Sequence, residues 1–366
     1  MRVLFLTDWF DAPNRALVEY VSSQREVNAT AMCNFNCAHP RPSGVTRIDD
    51  FRCRSKFDFT AIRTLKERVA EGQFDVVHAT NSRMLSISLA ATQRLARPPK
   101  ITGFMGHVGR FSRWNAIHRM TYLNPRVAGV WCNCHAVAEP LKRAGVPQDK
   151  LFVIHAGHPF QPRPAAPNVA LRREFGIPAS AVVVGFVGNM RPVKGVDVLL
   201  NAALQLRDAE AIHWILLGKI EDKQVAELVS HPAIRDRVHC LGWRDDAQAL
   251  LSAMDVFAMP SRSEGFSRAI SEAMEAGLCV VATNVGGTPE LIRHEIDGLT
   301  VPPNDPTALA EAIRRVAANR QRRTSLAAAG TERLRTEFTV DQMGRKIMAM
   351  FRAVASTQEL RRRRAA

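Results

Sequence analysis

Two glutamates eight residues apart, Glu264 and Glu272, form the pattern with the clearest chemical meaning. Between them a turn at 265–267 leads into a predicted helix, which lies between predicted strands at 256–259 and 278–282. The first N–H groups of a helix lack intrahelical partners and its dipole is positive there, so such a helix start binds anions. Carboxylates at the turn and on the helix can hold sugar hydroxyls beside a phosphate. The segment therefore predicts a nucleotide-sugar site.

Apolar runs that favour strands alternate with helical patterns along the whole chain. The strands predicted in the first half are 3–6, 75–78, 101–104, 129–132 and 151–154, with helices at 61–71 and 135–144. The strands predicted in the second half are 182–187, 212–217, 238–241 and 256–259, with a helix at 196–206. This alternation is typical of doubly wound parallel sheets. It predicts an α/β protein with two Rossmann-like domains and a ligand in the cleft between them.

The length and one proline-rich segment set the predicted domain boundaries. A chain of 366 residues exceeds what one core usually organises, so two domains are expected. The clearest linker, 158–168, contains four prolines and separates a domain at 1–160 from one at 161–339. A helix at about 340–354 and a basic tail at 355–366 complete the predicted chain.

The charge is unevenly distributed. The net charge of +15 and a pI near 10.2 predict an anionic partner. Residues 1–157 hold 22 Lys and Arg against 12 Asp and Glu, whereas 158–366 hold 28 against 23. We therefore expect the first half to meet something anionic while the second handles the nucleotide. No nucleic-acid-binding motif is present, so nucleic acid is not the expected partner.

Apolar runs and cysteines restrict the compartment. No apolar run approaches the roughly 20 residues that cross a bilayer. The opening MRVLFLTDWF is too short for a signal peptide and fits a buried strand. A cytoplasmic protein is expected, either free or peripheral on the inner face of the cytoplasmic membrane. The seven cysteines lack paired Cys-x-x-Cys spacing, so buried free thiols are expected, with neither a metal site nor a cofactor.

Three segments in a fixed order resemble the retaining glycosyltransferases of family 4, which have the GT-B fold. They are Glu264 and Glu272 as a Glu-x7-Glu motif, VGNMRPVKGVDVLLNA at 187–202, and VVATNVGGTPELIRHEIDGLTVPPNDPTALAEAI at 280–313. The resemblance is strongest over 182–316. It implies that the second domain binds a nucleotide-sugar donor, that the first binds the acceptor, and that the last helix crosses back onto the first domain.

The resemblance also implies residues for the nucleotide part of the donor. Lys194 and Arg191 would stabilise the leaving diphosphate, because fixed cations balance the developing negative charge without proton transfer. Glu272 would accept hydrogen bonds from the ribose hydroxyls. Trp243 and Arg244 occupy the loop that would bind a uracil-like base. Surface charges without a ligand are the alternative interpretation of Lys194, Arg191 and Glu272.

The donor sugar would be bound by a second set of residues, again by resemblance. Glu264 would lie against the sugar, with backbone amides of Gly265, Phe266 and Ser267 near sugar and phosphate. His107, which follows a predicted strand, matches a family histidine near the donor sugar, although a lone histidine is more often structural. A stabilising charge at a helix start is the alternative interpretation of Glu264.

Two segments depart from the family pattern. The loop after the first strand, 8–14, has no glycine pair, and 156–159 reads Ala-Gly-His-Pro in place of Asn-Gly-Val-Asp. These departures concern contacts of the first domain and predict an unusual acceptor.

The segment from Arg110 to Tyr122 interleaves cations with apolar residues. At helical spacing the apolar members form a stripe flanked by basic side chains: Phe111, Trp114, Ile117 and Met120. Such a stripe predicts an interfacial helix that lies on anionic lipid. A core-facing helix with a solvated basic side fits the same pattern equally well.

The leading hypothesis is a retaining, metal-independent transferase that moves a hexose from a nucleotide sugar, with UDP the expected nucleotide, to a glycan or lipid-linked glycan. Synthesis of lipopolysaccharide, other cell-surface polysaccharide or glycolipid fits the basic first domain. One alternative is a GT-B sugar-nucleotide epimerase or a phosphorylase. Another is a non-enzymatic protein that binds anionic surfaces, which the pI alone supports.

Overall fold

The computed structural model describes residues 1–8, 11–33, 42–48, 51–160, 169–209 and 211–363. The chain divides into two compact units. Unit 1 combines Met1–Pro159 with Phe338–Ala366, and unit 2 is Phe160–Glu337. Residues 161–168, most of the predicted linker, lie outside the described residues.

Each unit contains one β-sheet with parallel strand pairing. The strands described in unit 1 are β1 (Arg2–Leu6), β2 (Asn28–Met32), β3 (Thr46–Ile48), β4 (Val76–Ala79), β5 (Lys100–Met105), β6 (Val127–Cys132) and β7 (Leu151–Val153). Those of unit 2 are β8 (Val182–Val187), β9 (Ile212–Leu217), β10 (Val238–Gly242), β11 (Val256–Met259), β12 (Cys279–Thr283) and β13 (Leu299–Val301). The strand orders are β3-β2-β1-β4-β5-β6-β7 and β10-β9-β8-β11-β12-β13.

Apart from β2 and β3, consecutive strands of each sheet have at least one described helix between them, as parallel pairing requires. The helices described are α1 (Ala12–Ser22), α2 (Phe59–Gly72), α3 (Ser82–Ala91), α4 (Ala116–Arg119), α5 (His135–Arg143), α6 (Val169–Glu174), α7 (Val196–Gln205), α8 (Lys223–Leu228), α9 (Ala247–Leu250), α10 (Arg268–Glu275), α11 (Thr288–Leu291), α12 (Pro306–Ala318), α13 (Arg320–Glu337) and α14 (Val340–Arg363). The predicted α/β class with two Rossmann-like parallel sheets is confirmed.

The last helix belongs to unit 1 although it follows unit 2 in sequence. Its buried residues Met343, Ile347 and Phe351 recur at helical spacing and join the core built on Phe5 and Trp131. Burying an apolar side chain of this size contributes about 2 kcal/mol, so this stripe fixes the helix on the sheet. The helix extends to Arg363, beyond the predicted end near 354, because 353–363 contains neither glycine nor proline.

The sequence missed strands that lack a long apolar run. The strands β2 and β3 read NATAM and TRI, and β13 has only three residues, LTV. Pairing with a neighbour, rather than their own composition, makes these segments strands. Within the described residues, no helix has the length and apolarity to cross a membrane, and no three His, Cys, Asp or Glu side chains are grouped as metal ligands would be.

Candidate active site

The sheet of unit 2 reverses its winding direction between β8 and β11. From β8 the chain moves outward to β9 and β10, and it then returns to the other side of β8 to add β11, β12 and β13. Loops at the carboxyl ends of the strands diverge at such a point and leave a crevice, which is where open α/β sheets bind ligands. The loops that follow β8 and β11 carry Lys194 and Glu264, so the topology brings these two predicted residues together.

Lys194 ends a short 3₁₀ turn, Pro192–Lys194, in the loop after β8. The turn stops at Gly195, whose φ of +65° is a left-handed conformation that favours glycine. A Cβ at Gly195 would also lie 2.1 Å from the carbonyl oxygen of Pro260, at the end of β11. Only glycine therefore lets the turn approach the neighbouring loop closely enough to present Lys194 there.

Glu264 is the buried end of an ion pair. Its Oε1 accepts hydrogen bonds from Nζ of Lys194 and Oγ of Ser261, both at 2.7 Å. The side chain of Glu264 is 9% exposed and that of Lys194 is 22% exposed, so the ammonium keeps access to the edge while the carboxylate is largely covered. A buried carboxylate needs such partners, because losing water without them is costly.

The backbone at Glu264 packs against the glycine pair that follows β12. Gly286 has a φ of +54°, and a Cβ there would come within 1.7 Å of the Glu264 carbonyl oxygen. The amide of Gly287 donates a hydrogen bond to the same oxygen at 3.3 Å. The late Gly-Gly pattern thus supports the Glu264 turn by direct contact.

Helix α10 begins directly after this turn. Gly265, Phe266 and Ser267 are buried, and the side chain of Ser267 makes no capping hydrogen bond to the helix. Because α10 follows the loop after β11, its amino end, where the helix dipole is positive, lies at the same edge of the sheet as Lys194. The two features together place positive potential around Glu264.

Glu272 lies on α10 and is half-buried. Its Oε1 accepts a hydrogen bond of 3.4 Å from Nε2 of Gln248, in α9. A neutral amide is a partner that ribose hydroxyls could replace without leaving a charge unpaired. The sequence did not indicate Gln248.

The predicted base-binding loop follows β10, an edge strand of the sheet. Trp243 is 65% exposed. Arg244 donates two hydrogen bonds of 2.7 Å to Asp246, and this contact raises the pKa of the arginine above its ordinary value. The positive charge of Arg244 is thus balanced by Asp246, which favours the exposed indole of Trp243 as the contact surface of this loop.

Arg191 lies at the start of the Pro192–Lys194 turn and is exposed. Its carbonyl oxygen accepts a hydrogen bond of 2.8 Å from the backbone N–H of Lys194. The backbone of Arg191 thus supports Lys194.

His107 belongs to unit 1, where it is exposed just after the carboxyl end of β5. His78, within β4, is by contrast fully buried among Phe5, Trp131 and Phe351. Burial lowers the pKa of His78 to about 3, so it stays neutral in the core. Periodicity alone did not distinguish these two environments.

One connecting residue was not predicted. Arg262, between Ser261 and Glu264, donates hydrogen bonds of 2.8 and 2.6 Å to the two carboxylate oxygens of Asp197. The bonds to Asp197 raise the pKa of Arg262. The guanidinium also donates hydrogen bonds to Oδ1 of Asn304 at 2.7 Å and to the carbonyl of Pro192. The backbone N–H of Arg262 reaches the Val193 carbonyl at 2.8 Å. Arg262 therefore joins the loops after β8, β11 and β13. These partners lie far apart in sequence, and no local pattern marks them.

The prediction of an interfacial helix from Arg110 to Tyr122 is wrong. Only α4, a single turn at Ala116–Arg119, is helical, and Asn115 caps it. Tyr122 is buried and donates a 2.7 Å hydrogen bond to the Phe104 carbonyl, whereas Trp114 is 81% exposed. The stripe is therefore split between core and surface. A core-facing helix is excluded as well, because Ile117 and Met120 are also exposed.

The parallel sheets, with the pair of Lys194 and Glu264 at the switch point of unit 2, define a Rossmann-like class of α/β proteins. Two family models match the chain: Glycosyl transferases group 1 over residues 181–319 and Glycosyltransferase Family 4 over 27–159. The chain belongs to this glycosyltransferase family, as the sequence motifs predicted.

Relatives named as glycosyltransferases match about half of the chain. A D-inositol 3-phosphate glycosyltransferase of Salinispora tropica is 32% identical over 51% of this chain and 41% of its own length. The lipopolysaccharide core biosynthesis glycosyltransferase LpsD of Rhizobium meliloti is 33% identical over 48% of this chain and 50% of its own. The chain thus spans about half the length of these curated relatives or less.

Solved structures match the fold over nearly the whole chain. Anabaena Alr3699/HepE in complex with UDP has a TM-score of 0.79 at 21% identity and covers 96% of this chain and 100% of its own. The same protein with UDP-glucose gives the same TM-score and coverage. The lipopolysaccharide outer core galactosyltransferase WaaB has a TM-score of 0.71 at 13% identity and covers 95% and 99%. The fold is the GT-B architecture.

Proposed function

We propose that this protein is a retaining glycosyltransferase that moves a hexose from a UDP-sugar to a glycan or lipid-linked glycan of the cell surface. The observation that carries the proposal is the pair of Lys194 and Glu264 at the switch point of unit 2. It sets a partly exposed cation and a buried carboxylate side by side. A nucleotide sugar needs this combination, because it presents a diphosphate and hydroxyls together.

The charges in unit 2 suggest how the donor is activated. As the bond from sugar to diphosphate breaks, negative charge grows on the phosphate, and Lys194 and Arg191 stabilise it electrostatically. Glu264 accepts hydrogen bonds from the sugar hydroxyls, and Glu272 accepts those of the ribose. The leaving phosphate takes the acceptor proton on the same face of the sugar. The proposed reaction is metal-independent, because the two cations supply the charge that a divalent ion would supply.

Two contacts complete the proposed donor site. The exposed ring of Trp243 stacks on or beside the base, and Arg244 shapes that loop through Asp246. His107, in unit 1, is the remaining candidate for a hydrogen bond to a sugar hydroxyl. The relatives that act in lipopolysaccharide core and O-antigen biosynthesis support an acceptor of the cell envelope.

The first experiment is isothermal calorimetry with a panel of nucleoside diphosphates and nucleotide sugars in the presence of EDTA. We expect one UDP compound to bind wild type and to lose at least tenfold in affinity with Glu272→Ala, since charge-assisted hydrogen bonds contribute about 1.5–3 kcal/mol. Glu227→Ala, an exposed glutamate on α8, is the matched control and should bind normally. Absence of any nucleotide binding by wild type would refute the donor site.

Turnover without an acceptor separates the alternatives. A GT-B epimerase would convert the bound nucleotide sugar into an isomer with no acceptor present, and a phosphorylase would require inorganic phosphate. Either result would replace the transferase proposal while keeping the donor site. Release of free UDP that increases with added glycan acceptor supports transfer.

The proposal includes peripheral contact of unit 1 with the inner face of the cytoplasmic membrane through the segment from Arg110 to Tyr122. Three apolar side chains of this segment are exposed: Trp114 by 81%, Ile117 by 47% and Met120 by 42%. Between Asp75 and Glu139 the sequence has eight Lys and Arg and no acidic residue. Exposed aromatic and aliphatic groups among unbalanced cations favour an anionic bilayer surface.

A further inference from the structure

A pocket of ≈ 450 Å³ adjoins the exposed segment of unit 1. Its apolar lining includes Leu123, Val127 and Val146, and its cations are Arg113, Arg119 and Lys150; none of the lining residues is acidic. A cavity with an apolar lining and several cations suits an amphiphilic anion.

The pocket lies at the edge of the sheet opposite the proposed chemistry. Val127 begins β6 and Lys150 directly precedes β7, so the pocket adjoins the amino ends of these strands. His107 follows the carboxyl end of β5. A six-residue strand is roughly 20 Å long, so this distance separates the pocket from the catalytic edge of unit 1. The donor and the transferred sugar do not account for the pocket.

The cations of the pocket differ in the partners that they already have within the protein. Nζ of Lys150 donates hydrogen bonds of 2.9 Å to the carbonyls of Pro125 and Val127, which fixes the ammonium at the rim. The guanidinium of Arg113 lies 5.0 Å from the ring centre of Trp114. Within the described residues, neither Arg113 nor Arg119 has a carboxylate within ion-pair distance. Both guanidinium groups are thus available to an anion.

We propose that this pocket binds the phosphate headgroup of an anionic glycerophospholipid, while Trp114, Ile117 and Met120 enter the membrane interface beside it. The inference rests on the membrane contact proposed above and gives it a specific lipid site. Arg113 and Arg119 are shared by the exposed patch and the pocket lining, so one lipid can contact both. Its phosphate meets the guanidinium groups, and the start of its acyl chains meets the apolar lining. The lipid is the expected occupant, rather than free phosphate, because a free anion would leave that lining unused.

The test is co-sedimentation of the full chain with vesicles of phosphatidylcholine, with or without phosphatidylglycerol. Wild type should bind only the vesicles with phosphatidylglycerol. Arg113→Gln with Arg119→Gln should weaken this binding about 30-fold, since each basic residue near an anionic surface contributes about 1 kcal/mol. The matched control removes two exposed cations of unit 1 that lie on α2, Arg63→Gln with Arg68→Gln, and should lose less than threefold.

A charge-neutral variant distinguishes a pocket from diffuse attraction. Ala144→Leu adds bulk to the lining without changing the charge and should weaken binding to phosphatidylglycerol vesicles at least fivefold. Unchanged binding by this variant, or equal losses in both arginine pairs, would overturn the pocket assignment. Inorganic phosphate that displaces the protein from vesicles at constant ionic strength would overturn it as well, in favour of a free-anion site.

Nucleotide binding at the donor site is measured separately in the same variants. UDP affinity, measured by calorimetry, should be unchanged in all variants of Arg113, Arg119 and Ala144. If wild type binds no nucleotide, the proposed function fails while the vesicle results still decide the lipid site. If nucleotide binds normally and wild type ignores anionic vesicles, only the lipid site fails.

Discussion

The loop after β11 in unit 2 and the loop after β5 in unit 1 both leave a central strand of a parallel sheet, yet their side chains are partnered in opposite ways. In unit 2, Glu264 is held by Ser261 and Lys194, and Arg262 by Asp197. In unit 1, Trp114 and Met120 are exposed beside cations that the surrounding sequence does not balance.

The difference teaches what each loop is suited to do. A site that stabilises developing charge needs groups fixed before the reaction, since reorganising them would raise the barrier. Close glycine packing at Gly195 and Gly286 provides that fixation. A surface that meets a membrane needs exposed apolar groups and cations available to lipid phosphates.

Removal of the cation at the switch point should have the largest effect. Lys194→Ala should reduce transfer from the UDP-sugar by about 10²–10³-fold, because one fixed donor to a developing anion is worth that much. Lys194→Arg should retain part of the rate. The measurement is kcat/KM for UDP release in the presence of acceptor, compared between wild type and the two Lys194 variants. Loss of less than threefold in Lys194→Ala would mean that Lys194 only pairs with Glu264.

Neutralising the carboxylate should separate binding from transfer. Glu264→Gln should reduce transfer about 10–100-fold through weaker hydrogen bonds to the donor sugar. UDP affinity should rise, because the ammonium of Lys194 no longer has a carboxylate competing with the diphosphate. Calorimetry with UDP and steady-state kinetics test the two parts. A fall in UDP affinity would contradict the competition.

Arg262 should act through position rather than contact. Arg262→Gln should lower kcat about tenfold, since small displacements of catalytic groups are costly, with KM for the donor changing less. Arg262→Lys should rescue only partly, because lysine cannot bond both oxygens of Asp197. Asp197→Asn should cause a similar loss, and the double variant should lose little more. Additive losses would show that the two residues act independently.

Substitutions on the exposed surface of unit 1 should have little effect on stability or on UDP affinity in solution. Trp114→Ala should change the free energy of unfolding by less than about 0.5 kcal/mol, since the side chain is 81% exposed. UDP affinity should stay unchanged, while binding to anionic vesicles should fall. Chemical denaturation and vesicle co-sedimentation test these statements. Marked destabilisation would place Trp114 in the fold rather than in an interface, and the contrast between the two loops would weaken.

Much of the fold could be predicted because its central strands are nearly continuous apolar runs. The strands β8, β9 and β11 have the bounds that the sequence predicted, since strands buried on both faces are apolar along nearly their whole length. The edge strands β3 and β13 were missed because TRI and LTV contain polar residues, whereas β7, equally short but entirely apolar as LFV, was predicted. The Arg110 to Tyr122 helix failed because apolar spacing does not reveal which side chains the core accepts, and it accepts Tyr122 but leaves Trp114 exposed.

The sequence by itself determined the α/β class, the glycosyltransferase family and the identities of Lys194 and Glu264 as candidates, because motif order and apolar runs are local properties. Only the tertiary structure decided that these two side chains meet at 2.7 Å, that Arg262 joins three loops and that a pocket of cations adjoins Trp114. Such contacts join residues far apart along the chain. Their distances depend on strand order and on close backbone approach, which no single segment encodes.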